Sequence, residues 1–242
     1  MSAARTALRQ YVEDIRRSAP YSVPETSHYG ALKTLLNHAG MALDPKVFCV
    51  IHPSKQGRKV GIPDGGLFTE DQHDADIGSS GFTIKPARGV VEAKPLGDDV
   101  YAIGETKQVA TTYLEPYGQV LVTNFRDFLL IRRDAEGKAS PSEFFSLAQS
   151  DSAFLSAGAE SQIVERADDL MAYLRLVMLS PAPISQPADL ANVMAFYARE
   201  ARHRIEEGEI DLPTLKEIRN GLENALGIKF DGKGAIISLL QR

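Results

Sequence analysis

The run Gly89-Val90-Val91-Glu92-Ala93-Lys94-Pro95 constrains this chain more than any other stretch. Its β-branched and apolar residues predict a buried strand stopped by Pro95. A carboxylate and an ammonium nonetheless occupy alternate positions, and strand alternation puts both on one face. Charge is rarely buried without a partner, so such a pair needs a reason. Upstream, Ile62-Pro63-Asp64-Gly65-Gly66 ends a short apolar run and brings a second carboxylate beside glycines that allow a sharp turn. If the two segments are hairpin neighbours, Asp64 meets Glu92 at one edge of the sheet, where converging carboxylates repel unless a cation lies between them. Mg²⁺ (or Mn²⁺) suits that position, because it takes oxygen ligands and keeps waters that a phosphate or a nucleophile can replace. Lys94 would then stand beside the attacking water and the developing negative charge. On these residues alone a plainer reading stays open: Glu92 and Lys94 face solvent on a half-exposed strand, and Asp64 supports a turn.

The surrounding pattern is that of a mixed α/β chain. Leu8, Tyr11, Val12 and Ile15 recur at helical spacing, and Tyr29, Leu32, Leu35, Leu36 and Ala39 form the apolar face of a second helix opened near Pro24 and Thr26. Glu25 lies in that helix's first turn, where an acid is favoured by the helix dipole. Strands are expected at Val47–Ile51, Val60–Ile62, Gly89–Lys94, Val120–Thr123 and Phe128–Ile131, with a helix from Glu105 to Tyr117 closed by Gly118. The polar, acidic stretch from Thr69 to Pro86, with Asp71, Asp74 and Asp76, reads as an exposed loop. Residues 134–138 read as a hairpin tip or linker. From Pro141 onward the pattern is helical, with stripes at Ile163–Met178, Leu190–Ile205 and Leu215–Leu226. The expected division is therefore a domain over residues 1–140 and a helical connector or accessory segment over 141–242.

Within 242 residues there is a single cysteine, Cys49, in an apolar run, which excludes disulfides and thiolate clusters inside the chain and marks it as a small buried hydrophobe. The five histidines show no paired ligand spacing and read as surface or capping residues. A net charge of −5 argues against an arm-type nucleic-acid binder but not against a local basic strip. No apolar run reaches membrane-spanning length and the N-terminus lacks a secretory pattern, so no membrane association and a cytoplasmic location are expected.

Pro63-Asp64 followed by Glu92-Ala93-Lys94 resembles the PD-(D/E)xK nuclease signature, and the order of helices and strands is similar to that family's core. Three longer segments, 62–68, 88–95 and 117–128, resemble the N-terminal nuclease region of single-chain restriction-modification enzymes of the type ISP and type IIG-like kind, within a likeness that covers residues 24–133. The resemblance implies a restriction-endonuclease-like α/β core, a central mixed sheet flanked by helices, followed by an all-helical segment. It implies Mg²⁺-dependent hydrolysis of double-stranded DNA, with Asp64 and Glu92 as metal ligands, Lys94 as the electrostatic partner of the nucleophile, and Glu25 as an accessory acid toward the metal. Gln108 answers to the glutamine of a Gln-x-x-x-Tyr pattern in that family. Here the tyrosine, Tyr113, comes five residues on, a spacing that turns it off the glutamine's face in an α-helix, so it reads as a core aromatic. By the same resemblance a methyltransferase region is expected in this or a partner chain. No Asn-Pro-Pro-Tyr/Phe motif and no Gly-Lys-Ser/Thr loop occur in the sequence, so the chain is expected to be a stand-alone subunit or an N-terminal piece of a longer enzyme. Two other readings remain: a catalytically silent nuclease-fold module that binds DNA or assists assembly, and a helical scaffold whose partner surface is the Met-rich stripe of residues 163–194.

Overall fold

The parallel pairing of two strands far apart in sequence decides the layout. The computed structural model describes residues 2–19, 25–51, 62–76 and 85–179. The chain divides into two compact units, Met1–Ile184 and Ser185–Arg242, and every described residue belongs to the first. The stripes expected at 190–205 and 215–226, the run at 60–61 and the turn at 53–59 lie outside the described residues.

Helix α1 spans Ala3–Ser18, capped by the Ser2 hydroxyl accepting from the Arg5 N–H, and buries Leu8, Tyr11, Val12 and Ile15 as the spacing predicts. A 3₁₀ turn, Glu25–His28, leads into α2, Tyr29–Gly40. The six strands are β1 (Val47–Ile51), β2 (Gly65–Thr69), β3 (Val90–Ala93), β4 (Val120–Thr123), β5 (Asp127–Arg133) and β6 (Ala139–Ser146). They lie in the sheet in sequence order, every pair antiparallel except β3 and β4. Parallel neighbours cannot be joined by a hairpin. The crossover here is built from α4 (Val100–Gly104), a π-helical turn (Gln108–Tyr113) and α5 (Leu114–Tyr117), which ends at Gly118 in the left-handed conformation. Its apolar residues Val100, Val109, Tyr113, Leu114 and Tyr117 pack on Val90, Val120, Val122, Leu129 and Ile131 of the sheet. Helices α6 (Asp151–Leu155), α7 (Glu160–Glu165) and α8 (Ala167–Leu179) follow. Helix α8 packs with α1 and α2, and its Tyr173 hydroxyl donates to the Phe128 carbonyl of β5 at 3.1 Å. A six-stranded mixed sheet flanked by helices is the architecture expected of a restriction-endonuclease-like core.

Several local expectations change. Residues 70–76 form a helix, α3 (Glu70–Asp76), instead of an exposed loop. The strand after Pro63-Asp64 begins at Gly65, so Asp64 stands at the start of β2, and Gly65 and Gly66 are strand residues, not turn residues. Gly66 is close-packed: a Cβ there would lie 2.7 Å from the Phe68 ring. Residues 141–146, read as the opening of a helical pattern, belong to edge strand β6 (Ala139–Ser146). An edge strand pairs on one side only and does not need an apolar sequence. His28, read as a surface or capping residue, is buried, with its ring edge-on to Phe125. Cys49 is buried as expected, and burial pushes its thiol up to about 12.

The entry to β3 depends on Gly89, whose φ is +87°. A Cβ there would lie 2.5 Å from the Gln119 Cγ and 2.8 Å from the Gln119 carbonyl oxygen. Gly89→Ala therefore strains the backbone and collides with β4's first neighbour at once. We expect it to lower the unfolding free energy by about 1–3 kcal/mol, read from the urea midpoint. A wild-type midpoint would contradict this account of Gly89.

Candidate active site

The antiparallel pairing of β2 and β3 matches Gly65 with Val91 and Gly66 with Val90. One step further the same register sets Asp64 across from Glu92, and residues directly opposite on antiparallel strands share a face. The contacts agree with that geometry. The Asp64 Oδ2 accepts the Ala93 backbone N–H at 2.9 Å, so the Asp64 side chain reaches across to the strand that bears Glu92.

Glu92 is 3% exposed, which overturns the reading of a solvent-facing carboxylate on a half-exposed strand. Its Oε1 accepts from the Lys94 ammonium at 2.7 Å, and the Lys94 side chain keeps 31% of its surface exposed. The two side chains lie on one face, as alternation requires. Lys94 follows the last ladder residue of β3, but its backbone N–H still donates to the Thr123 carbonyl of β4 at 2.9 Å. The buried glutamate is thus compensated by a cation whose own main chain is held by the neighbouring strand.

The crossover contributes the remaining side chains. Gln108 and Tyr113 are the first and last residues of the π-helical turn. In a π-helix the backbone hydrogen bond runs from i to i+5, so a spacing of five brings two residues onto one face. The expectation that this spacing separates them is corrected: the Gln108 Nε2 donates to the Tyr113 hydroxyl, which in turn donates to the Ile62 carbonyl at 2.9 Å. Tyr113 therefore holds the chain two residues ahead of Asp64. Burial, and next the negative charge of Glu92, push the Tyr113 phenol above its ordinary value, with Asp64 adding to the effect and Gln108 and Lys94 opposing it. Five side chains, Asp64, Glu92, Lys94, Gln108 and Tyr113, are thereby linked through β2, β3 and the crossover.

Glu25 opens the 3₁₀ turn before α2, and its side chain lies outside the described residues. No group of three or more His, Cys, Asp or Glu able to hold a metal occurs among the described residues. The donors in hand are two carboxylates, with no histidine or thiolate. That set fits a hard cation such as Mg²⁺ or Mn²⁺, which binds through one or two carboxylates and completes its shell with water and phosphate oxygens. It does not fit a structural zinc site.

No family model matches the chain, and no curated protein matches it. Among solved structures it is similar to the cryo-EM structure of a DrdV–DNA complex, at 14% identity and a TM-score of 0.39, over 71% of this chain. The chain spans 15% of the length of that protein.

The tyrosine geometry has a measurable consequence. The fold favours the protonated phenol, so the stability Tyr113 contributes is whole below the ordinary value of 10.0 and is lost as pH rises through its higher folded value. Tyr11 and Tyr173, both fully buried, are pushed up further by desolvation and act in the same direction. Denaturant midpoints should therefore fall as pH climbs above about 10, and fall less in Tyr113→Phe than in the wild type. Parallel curves for the two proteins would show that Tyr113 is not held in the environment described.

Proposed function

We propose that this chain carries a Mg²⁺-dependent endonuclease domain of a restriction-modification system, hydrolysing phosphodiester bonds of double-stranded DNA. The observation that carries the reading is the Asp64 carboxylate bonded to the Ala93 N–H next to Glu92 at 2.9 Å, with the Lys94 ammonium 2.7 Å from the Glu92 carboxylate. Asp64 and Glu92 are the metal ligands, with Glu25 as an accessory acid. Mg²⁺ held there would act as a Lewis acid toward the scissile phosphate and lower the pKa of a bound water. Lys94, partly exposed beside the buried Glu92, would orient that water and offer positive charge where negative charge develops. Gln108, exposed at the start of the π-helical turn, is an accessory polar contact for the phosphate backbone. Tyr113 holds the Ile62 carbonyl, and with it the approach to Asp64. The resemblance of residues 24–133 to single-chain restriction-modification enzymes adds the biological setting, including a methyltransferase region in this or a partner chain.

The Glu92–Lys94 ion pair favours one second reading. Lys94 already neutralises the buried carboxylate, so the fold needs no cation to be stable, and a nuclease fold that binds DNA or assists assembly without cutting would look the same at this pair.

Nicking of supercoiled plasmid in Mg²⁺ separates the two. We expect Asp64→Ala and Lys94→Ala each to lower the rate by about a hundredfold or more, the scale of losing a charge-stabilising group. Mn²⁺ should raise the melting temperature of the wild type and not that of Asp64→Ala, since an ion that binds only the folded state stabilises it by mass action. Equal nicking by all three proteins would remove the assignment. DNA binding without nicking, and without the Mn²⁺ shift, would favour the silent module.

A further inference from the structure

The segment that follows Lys94 leaves the sheet at once. Pro95 lacks an N–H and cannot extend the ladder. Residues 95–98 form a tight turn, with the Asp98 N–H donating to the Pro95 carbonyl at 3.2 Å and Gly97 at φ +95°. Asp99 then caps α4 through the Tyr101 N–H at 2.9 Å, and α4 leads to the π-helical turn that bears Gln108 and Tyr113. Lys94 is thus the last anchored residue of one strand and lies just upstream of the helix that brings in two further site residues. A lysine carries its charge on a flexible four-carbon stem, so its position depends on how firmly its main chain is held.

What holds it is the turn from β4 to β5, Asn124-Phe125-Arg126-Asp127. Thr123, Asn124 and Phe125 are fully buried, and Asp127 nearly so. The Asn124 side chain is the centre of the turn. Its Oδ1 accepts from the Asp127 N–H at 2.7 Å and the Arg126 N–H at 3.2 Å, and its Nδ2 donates to Asp127 Oδ2 at 3.3 Å and to the Asp98 carbonyl at 2.8 Å. The Phe125 backbone sits at φ +70°, rare for a bulky L-residue and found where surrounding contacts over-determine it. Those contacts are the Phe125 N–H to the Thr123 hydroxyl at 2.9 Å and the Tyr11 hydroxyl to the Phe125 carbonyl at 2.6 Å. The same short stretch of chain therefore grips the Lys94 segment at both ends: Thr123 accepts the Lys94 N–H, and Asn124 catches the Asp98 carbonyl.

We infer that Asn124 is a positioning residue for the site, its side-chain amide clamping residues 94–98 so that the Lys94 ammonium and the start of the helix leading to Gln108 share one fixed origin. The inference rests on the nuclease reading for its kinetic consequence, but not for its structural one. Asn124 makes none of the contacts within the carboxylate, lysine and tyrosine cluster and acts through the backbone of its neighbours.

Two variants test it. Asn124→Ala removes the clamp from the buried side. Gly97→Ala disturbs the same turn from its exposed side, where an added Cβ meets only the Asp151 carboxylate at 3.6 Å and the left-handed φ alone is strained, so it tests the clamp even if Asn124→Ala fails to fold. Each protein is assayed for Mg²⁺-dependent plasmid nicking, for melting temperature, and by NMR of the ¹⁵N-labelled Lys94 ammonium. We expect the Lys94 signal to move in both variants, and kcat to fall by about ten- to a hundredfold in Asn124→Ala, with KM for DNA within about twofold. Gly97→Ala should show a smaller fall of the same kind, with a melting temperature lowered by only a few degrees, the scale of backbone strain without a clash. If the wild type nicks and a folded variant keeps both wild-type kcat and the Lys94 signal, the positioning role is overturned and the nuclease reading stands. If the Lys94 signal moves in the variants while the wild type does not nick, Asn124 keeps its role and the nuclease reading falls.

Discussion

A glutamate 3% exposed inside a sheet is tolerable only with a cation beside it, and the Glu92–Lys94 pair is the interaction on which the rest of this structure depends. Removing one partner of a buried pair typically costs about 3–5 kcal/mol, although the partial exposure of Lys94 reduces that figure here. Because Glu92 and Lys94 share β3, a shift of that strand's register would move the pair together and part it from the Asp64 carboxylate of the β2 side and the Thr123 carbonyl of β4. A one-residue slip would also send Glu92 to the opposite face of the sheet.

Around that pair the sheet topology brings together side chains from three places. The antiparallel β2–β3 pairing supplies Asp64, the strand itself supplies Glu92 and Lys94, and the parallel β3–β4 pairing demands a crossover that supplies Gln108 and Tyr113. Each pairing has its own lock. Asp64 bonds the Ala93 N–H, Tyr113 bonds the Ile62 carbonyl, and Thr123 accepts the Lys94 N–H. The result is a site built on strand ends and a short helical turn rather than on long loops, which keeps its polar groups in fixed relation.

Much of this was legible in the sequence, for reasons that differ from element to element. The apolar runs at 90–93 and 120–123 read as strands because fully buried strands need apolar side chains on both faces, and the run at 47–51 is an apolar edge strand buried in part. The carboxylate and ammonium at alternate positions of one run identified the pair before any contact was known. Other elements were misread where residue type and backbone state part company. Gly65 and Gly66 suggested a turn but lie inside β2, where Gly66 allows close packing on Phe68, and the polar edge strand β6 passed in large part for the opening of a helical region. The π-helical turn left no signal at all, because any residue type can accept the extra backbone step. Hence Tyr113 was set aside although its hydroxyl lies within the site. Asn124 carries no signal of its own in the sequence, since its role depends on the Asp98 carbonyl, which no residue letter reveals.

The sequence by itself determined the chemistry on offer: two carboxylates, one lysine and a glutamine at spacings compatible with strands and a helix, in a chain whose apolar pattern can close a mixed sheet. That follows because side-chain chemistry and period are local properties, written residue by residue. Which of those groups meet was decided only by tertiary structure. Strand register set Asp64 across from Glu92, the π-helical hydrogen-bond pattern returned Tyr113 to the face of Gln108, and the β4–β5 turn tied down the segment beyond Lys94. Register and backbone hydrogen bonding are relations between distant peptide groups that are chemically alike at every position, so they come into being only when the chain has folded.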